Sequence, residues 1–234
     1  MVERVLGPGK AWELETVDIG GHRHEVFKGE PRNLAALYRR ALAHADREMI
    51  VAGDVRITYG EGFARAAALA AQLRDRFGVG RGTRVAVVTA NRPEWILALI
   101  AVTALGGQAA LVNSRGVAEE MLRAIDQTGC TLAILDAERD AVIAAERPDP
   151  AWPRIVVGAP SHPLRPGRDA DFDALSAPVD GLAFTAEDMP PEAGAIILFT
   201  SGTTGFPKGA LLSHGALTHS VTVATLIGTV QDMR

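Results

Sequence analysis

The stretch Ala195-Ile-Ile-Leu-Phe-Thr-Ser-Gly-Thr-Thr-Gly-Phe-Pro-Lys-Gly-Ala-Leu-Leu212 decides how the rest of the chain is read. Its first five residues are apolar without alternation, the pattern of a short strand buried on both faces. The strand runs straight into a loop of glycines and hydroxyls. Gly202, Gly205 and Gly209 let the backbone turn sharply and approach a ligand closely. Successive backbone N–H groups in such a loop converge on an anion as a nest. Thr200, Ser201, Thr203 and Thr204 add hydroxyl donors without bulk, and Lys208 supplies a compact positive charge for phosphate oxygens. Pro207 restricts the chain just before the lysine, so less entropy is lost on binding. The order differs from the Gly-x-x-x-x-Gly-Lys-Ser/Thr loop of common P-loop proteins. A flexible Gly/Ser/Thr linker is the competing reading, and the flanking apolar runs and the Pro-Lys-Gly ending argue against it. Ser213 then stands where it can cap a helix through Leu217, Val221 and Leu226.

Working upstream, apolar strands alternate with helical patterns. Strands are expected at Val85–Thr89, Gln108–Val112, Thr131–Leu135 and Arg154–Val157. Helices are expected from Pro93 to Leu105, Glu119 to Gln127 and Ala137 to Ala145, with Gly106-Gly107 and Gly129 as stops. Strands this apolar, alternating with helices, imply right-handed βαβ crossovers and an α/β fold with a mainly parallel sheet flanked by helices. Earlier still, a helix is read from about Leu34 to Ala45, and a strand pair at Met49–Ala52 and Val55–Thr58. Thr58 and Glu61 have capping-box spacing for a helix with Phe63, Ala66, Ala67, Ala70, Leu73 and Phe77 on helical intervals, ended by Gly78. Residues 158–194, rich in Pro, Gly and Asp, read as a surface connection with a short helix near Asp171 to Leu175. Residues 1–33 read as an arm broken by glycines, with an edge-strand candidate at Glu13–Ile19, and residues 34–234 as the α/β core.

Composition bounds the function. The 234 residues are 47% apolar and 22% charged, an ordinary globular balance. A net charge of -4 argues against a general nucleic-acid binder. No apolar run reaches the roughly 20 residues that span a bilayer, and the N-terminus lacks the apolar core of a signal peptide. The single cysteine, Cys130, excludes an internal disulfide and suits a reducing compartment, so a cytoplasmic protein with Cys130 packed inside is expected.

Phe199 to Gly209 resembles the signature of the adenylate-forming superfamily, which includes acyl- and aryl-CoA synthetases, peptide-synthetase adenylation domains and beetle luciferases. Ile57-Thr-Tyr59 with Glu61, Val79 to Val88, Asn91-Arg-Pro-Glu-Trp95 and Leu111-Val-Asn-Ser-Arg115 resemble other elements of the same family, so the likeness extends from about Leu34 onward. It is nearest to fatty-acyl-CoA or related carboxylate–CoA ligases. The resemblance implies part of the large N-terminal domain of such a ligase, of αβαβα type. It implies a carboxylate attacking the α-phosphate of Mg-ATP to give an acyl-adenylate and pyrophosphate, then a thiol, usually of coenzyme A, displacing AMP. Carried over residue by residue, it makes Thr200, Ser201, Gly202, Thr203, Thr204, Gly205 and Lys208 the grip on the β- and γ-phosphates, with Thr203 or Thr204 near magnesium.

Relatives in this superfamily are longer. The resemblance therefore implies a truncated N-terminal portion, inactive alone, with its adenylation lysine beyond Arg234. The partners expected are a small carboxylate substrate and, for the chain itself, a second copy in a homodimer. The alternatives are an adenylation module that loads a carrier protein and a non-catalytic, self-associating α/β fragment. Weaker candidates are also present. His22 and His24 would share a strand face but lack further metal ligands nearby in sequence. His214 and His219 do not share a helical face, and a structural hydrogen bond is the expectation for His214. Trp95 reads as packing, and Glu119, Glu120 and Arg123 as a solvated face.

Overall fold

The computed structural model of the chain describes residues 6–200 and 207–232. Its helices mostly begin where a side chain satisfies the orphan N–H groups of a first turn. Asn33 opens α1 (Leu34–Leu42) by accepting the Ala36 N–H at 2.9 Å. The other end of the Asn33 amide donates to the Met189 carbonyl and to Asp188 Oδ1, both at 2.7 Å. Thr58 and Glu61 form the expected capping box at α2 (Tyr59–Phe77), which stops at Gly78 with φ at 65°. Pro93 occupies the first turn of α3 (Pro93–Ala104), where no N–H is needed. Next, α4 (Ala118–Gln127) starts without a side-chain cap. Asp136 caps α5 (Ala137–Glu146), and Asp171 caps α6 (Phe172–Ser176). Ser213 accepts the Ala216 N–H at 3.2 Å at the start of α7 (His214–Asp232), as its position in the sequence suggested.

Strands β1 (Leu14–Ile19) and β2 (His22–Phe27) form an antiparallel hairpin within the expected arm. Strands β3 (Glu48–Ala52) and β4 (Val55–Thr58) form a second. The remaining strands are β5 (Arg84–Val88), β6 (Gln108–Leu111), β7 (Leu132–Asp136), β8 (Arg154–Val157), β9 (Ala170–Asp171), β10 (Gly194–Thr200) and β11 (Lys208–Ser213). They make one seven-stranded sheet in the order β11-β10-β6-β5-β7-β8-β9. All neighbours are parallel except β11, which returns antiparallel to β10. The mainly parallel sheet is thus as expected, with an antiparallel strand at one edge.

Two apolar layers cover the sheet. On one face, Val85, Val87, Leu132, Ile134 and Ile155 pack with Leu69 and Leu73 of α2, Leu97 of α3 and Phe172 of α6. On the other, Ala86, Val88, Ala133 and Leu135 pack with Met121 and Ile125 of α4 and Ile143 of α5. Each central strand is therefore apolar on both faces, which is why its sequence does not alternate.

The long stretch before β10 is less loose than its composition suggested. Phe184 packs edge-on against Phe63 and Tyr38, Met189 is buried, and the Glu187 N–H donates to the Ala104 carbonyl at 2.8 Å. Further upstream, Arg154 is fully enclosed between Asp140 at 2.9 Å and Asp169 at 2.8 Å. Burial alone would raise the Asp169 carboxyl, but hydrogen bonds from Arg165 and Arg154 override it and hold the group well below the usual carboxylate range. That cluster fastens the 158–169 segment to the edge of the sheet, beside β8.

Candidate functional site

In an open parallel sheet, ligands sit in the crevice outside the carboxyl ends of the strands. The carboxyl end of β10 is Thr200, where the glycine- and hydroxyl-rich loop begins. Thr200 pairs with Lys208 across the mouth of the β10–β11 hairpin, and its hydroxyl makes a long contact of 3.5 Å to the Lys208 carbonyl. Both side chains are exposed at this edge. Of the residues expected to hold polyphosphate, the fold therefore places Thr200 and Lys208 together. Ser201, Gly202, Thr203, Thr204 and Gly205 lie outside the described residues, and so does the magnesium contact expected at Thr203 or Thr204.

The hairpin is fixed from its sides. Gln127, at the end of α4, donates to the Pro207 carbonyl at 3.2 Å. A Cβ on Gly209 would come within 2.8 Å of Ile197 Cγ2, so only glycine lets β11 lie this close to β10. A strand, and not a helix, follows the loop. The common P-loop aims a helix N-terminus at phosphate. In this hairpin no helix N-terminus follows Lys208 directly, since β11 comes first.

β10 pairs with β6, and the β6–α4 loop, residues 112–117, leaves the sheet beside it. In that loop, Asn113 Oδ1 accepts the Arg115 N–H at 3.0 Å. Next along the edge, the loop after β5 is held by Asp136, whose Oδ2 accepts the Ala90 N–H at 2.7 Å. Asp136 was not among the residues singled out in the sequence, in either role. An aspartate between an apolar strand and a helix signals an N-cap, whereas the contact with Ala90 depends on β5 and β7 being neighbours.

The other candidates resolve as structure. His214 is fully buried, and its Nδ1 accepts the Leu34 N–H at 3.4 Å. It follows Lys208 closely in sequence, but β11 carries it to the opposite end of the hairpin, where Ser213 pairs with Gly194. At about 3.3 Å per residue that is roughly 20 Å from the loop. His219 contacts Glu30 Oε2 at 3.1 Å and stacks on Phe27, joining α7 to the N-terminal hairpin. His22 and His24 are exposed on β2, and among the described residues no group of three or more metal-ligating side chains occurs. Trp95 is half-buried against the α2–α3 core, Glu119 and Arg123 are exposed on α4, and Glu120 is half-buried. Cys130 is buried, and burial pushes its thiol pKa up. No helix among the described residues is long and apolar enough to cross a membrane.

A mainly parallel α/β sheet with a glycine- and hydroxyl-rich, lysine-bearing loop at one strand's carboxyl end defines an open-sheet α/β protein, a class whose ligands sit at that edge. Residues 37–233 match the family described as AMP-binding enzyme, and the chain belongs to that family. It is 34% identical over 177 residues to a 3-hydroxybenzoate–CoA ligase of Aromatoleum, covering 74% of this chain and 32% of that protein. It is 30% identical over 175 residues to a medium/long-chain-fatty-acid–CoA ligase of Mycobacterium tuberculosis, covering 75% of this chain and 28% of that one. The chain thus spans about a third of the length of these relatives, which are acid–thiol ligases by name. Among solved structures, it superposes on an anthranilate CoA ligase bound to anthranoyl-AMP with a TM-score of 0.69 at 22% identity, over 78% of this chain and 35% of that one. It superposes on a benzoate CoA ligase of Burkholderia xenovorans with a TM-score of 0.63 at 21% identity, over 78% and 34%. These two likenesses establish the shared fold.

Proposed function

We propose that the protein carrying this chain activates a carboxylic acid with ATP and passes the acyl group to coenzyme A. The observation that carries this reading is the pairing of Thr200 with Lys208 at the carboxyl edge of the sheet, on either side of the loop, in a chain of the AMP-binding enzyme family. In the first step a carboxylate oxygen attacks the α-phosphorus. The bond from that phosphorus to the bridging oxygen breaks, and pyrophosphate leaves. The thiol of coenzyme A then gives up its proton, its sulfur attacks the acyl carbon, and AMP departs.

The residues of this chain serve the first step. Lys208 and the Thr200 hydroxyl hold the β- and γ-phosphates in line with the attacking oxygen and stabilise the charge that grows on the leaving group. An exposed ammonium beside a hydroxyl, on a strand that only glycine lets pack so closely, suits a polyanion. Magnesium, when bound with ATP, neutralises part of the phosphate charge. The acid is fatty or aromatic, since both kinds are named among the relatives. The groups that choose between them, and the adenylation lysine, are proposed to lie outside this chain.

The test is ATP–pyrophosphate exchange with a panel of fatty and aromatic acids, using the protein as its source makes it. Exchange is expected with at least one acid, and Lys208→Ala should lower it on the order of 100-fold, the loss typical of one donor to a transition-state anion. Exchange that survives the substitution would sink the role given to Lys208. A carrier-protein acceptor in place of coenzyme A would appear as acyl transfer to a phosphopantetheinyl protein alone.

A further inference from the structure

The carboxyl edge of the sheet contains a clasp that the phosphate loop does not explain. Asp136 ends β7 with its side chain almost wholly enclosed. One oxygen does the ordinary work of a helix cap, accepting the Arg139 N–H at 3.0 Å. The other reaches sideways and accepts the Ala90 N–H at 2.7 Å, in the loop after β5. From the first turn of α5, Arg139 sends its Nε to the Ser114 carbonyl at 2.9 Å, in the loop after β6. Arg139 Nη1 stays 3.5 Å from Asp136 Oδ2, so the two side chains also attract each other. One acid–base pair therefore ties together the loops leaving β5, β6 and β7. Of these, the loop of residues 112–117 is the one beside Thr200, because β6 is the parallel neighbour of β10.

We infer that Asp136 and Arg139 are positioning residues for the nucleotide site: they fix the β6–α4 loop as the wall beside Thr200, at the carboxyl end of β10. The inference rests on the ligase reading above and deepens it. Neither residue touches a phosphate. They act by setting where the wall stands, and a displacement of about 1 Å in such a site costs on the order of 100-fold in rate. A charged hydrogen bond in a low-dielectric site is strong enough to hold a loop that has no regular structure of its own.

Two substitutions separate the clasp from the cap. Asp136→Asn keeps an oxygen to cap α5 but offers an N–H where Ala90 needs an acceptor. Arg139→Met keeps the backbone N–H that the cap uses and removes the bond to Ser114. In the protein as its source makes it, each should raise the KM for Mg-ATP about tenfold or more and leave the KM for the carboxylate within about twofold. Arg147→Met, which breaks only the surface pair with Asp126 at the far end of α5, should change neither. Deuterium uptake without ligand should quicken at residues 88–91 in Asp136→Asn and at residues 112–117 in Arg139→Met, and in neither variant in β7. Unchanged uptake at those loops overturns the inference whatever ATP does. Quickened uptake with an unchanged KM for ATP overturns it alone, and makes the clasp merely structural. Failure of the unaltered protein to bind Mg-ATP overturns the ligase reading, and this inference with it.

Discussion

A histidine close behind a phosphate loop invites a catalytic reading, and His214 shows why position in the sequence is a poor guide at the scale of one residue. The hairpin takes it to the amino end of β10, where it is buried and accepts the Leu34 N–H. Accepting at Nδ1 leaves the proton of the neutral ring on Nε2, which has no hydrogen-bond partner among the described residues. Burial lowers the His214 pKa below its ordinary 6.5. The unfolded chain therefore takes up a proton near pH 6.5 that the folded chain refuses until lower pH. Stability rises with pH wherever the unfolded state binds more protons, so it should fall as pH drops below about 6.5, at no more than about 1.4 kcal/mol per pH unit. Urea unfolding at pH 7.5 and 5.5 measures this, and His214→Gln should flatten the difference. Equal slopes in the two proteins would show that other groups set the acid sensitivity. The placement of Thr200 and Lys208 at either end of the loop, by contrast, was legible because it follows from the adjacent apolar runs. Asp136 was not, because its second partner is set by strand order.

At the scale of elements, the sequence is most informative where the signal is short-range. The capping box of Thr58 and Glu61, the stop at Gly78 and the start at Pro93 all lie where their spacing put them. The Thr58 hydroxyl accepts the Glu61 N–H at 3.2 Å, and Glu61 returns the favour to the Thr58 N–H at 2.8 Å. Thr58→Ala should destabilise the fold by about 1 kcal/mol, read as a lower urea midpoint at unchanged slope. Thr58→Ser should restore most of the loss. A midpoint unmoved by Thr58→Ala would mean that α2 is held by its buried face alone. What local pattern did not reveal was pairing. Strand β9 has only Ala170 and Asp171, too few to show a period, and exists because β8 offers it a free edge. Likewise Ala210-Leu-Leu212 announced an apolar segment, but its antiparallel return on β10 depends on a contact across the loop.

At the scale of the whole molecule, the apolar surface is unevenly covered. Both faces of the central strands are sealed, yet Leu198 of β10, Leu211 of β11, and Val221 and Ile227 of α7 remain 39%, 52%, 45% and 54% exposed. From His214 to Gln231, α7 contains no Asp, Glu, Lys or Arg, so it lacks the charged outer face of an ordinary surface helix. Beside it, β11 is an edge strand whose outer backbone groups have no strand partner among the described residues. Burying one Val or Ile side chain contributes about 1.5–3 kcal/mol, so covering these exposed side chains makes contact with another molecule favourable. The 234-residue chain taken alone should therefore self-associate through α7 and β11. Sedimentation velocity over a range of micromolar concentrations should show a coefficient that rises with concentration. Ile227→Lys together with Val221→Lys should return it to the monomer, because two buried ammonium groups cannot be accommodated without partners. Both side chains are exposed, so the monomer should keep the unfolding midpoint of the unaltered chain. A chain that stays monomeric at every concentration would refute the prediction. A variant that still associates would move the contact from α7 to the open edge of β11.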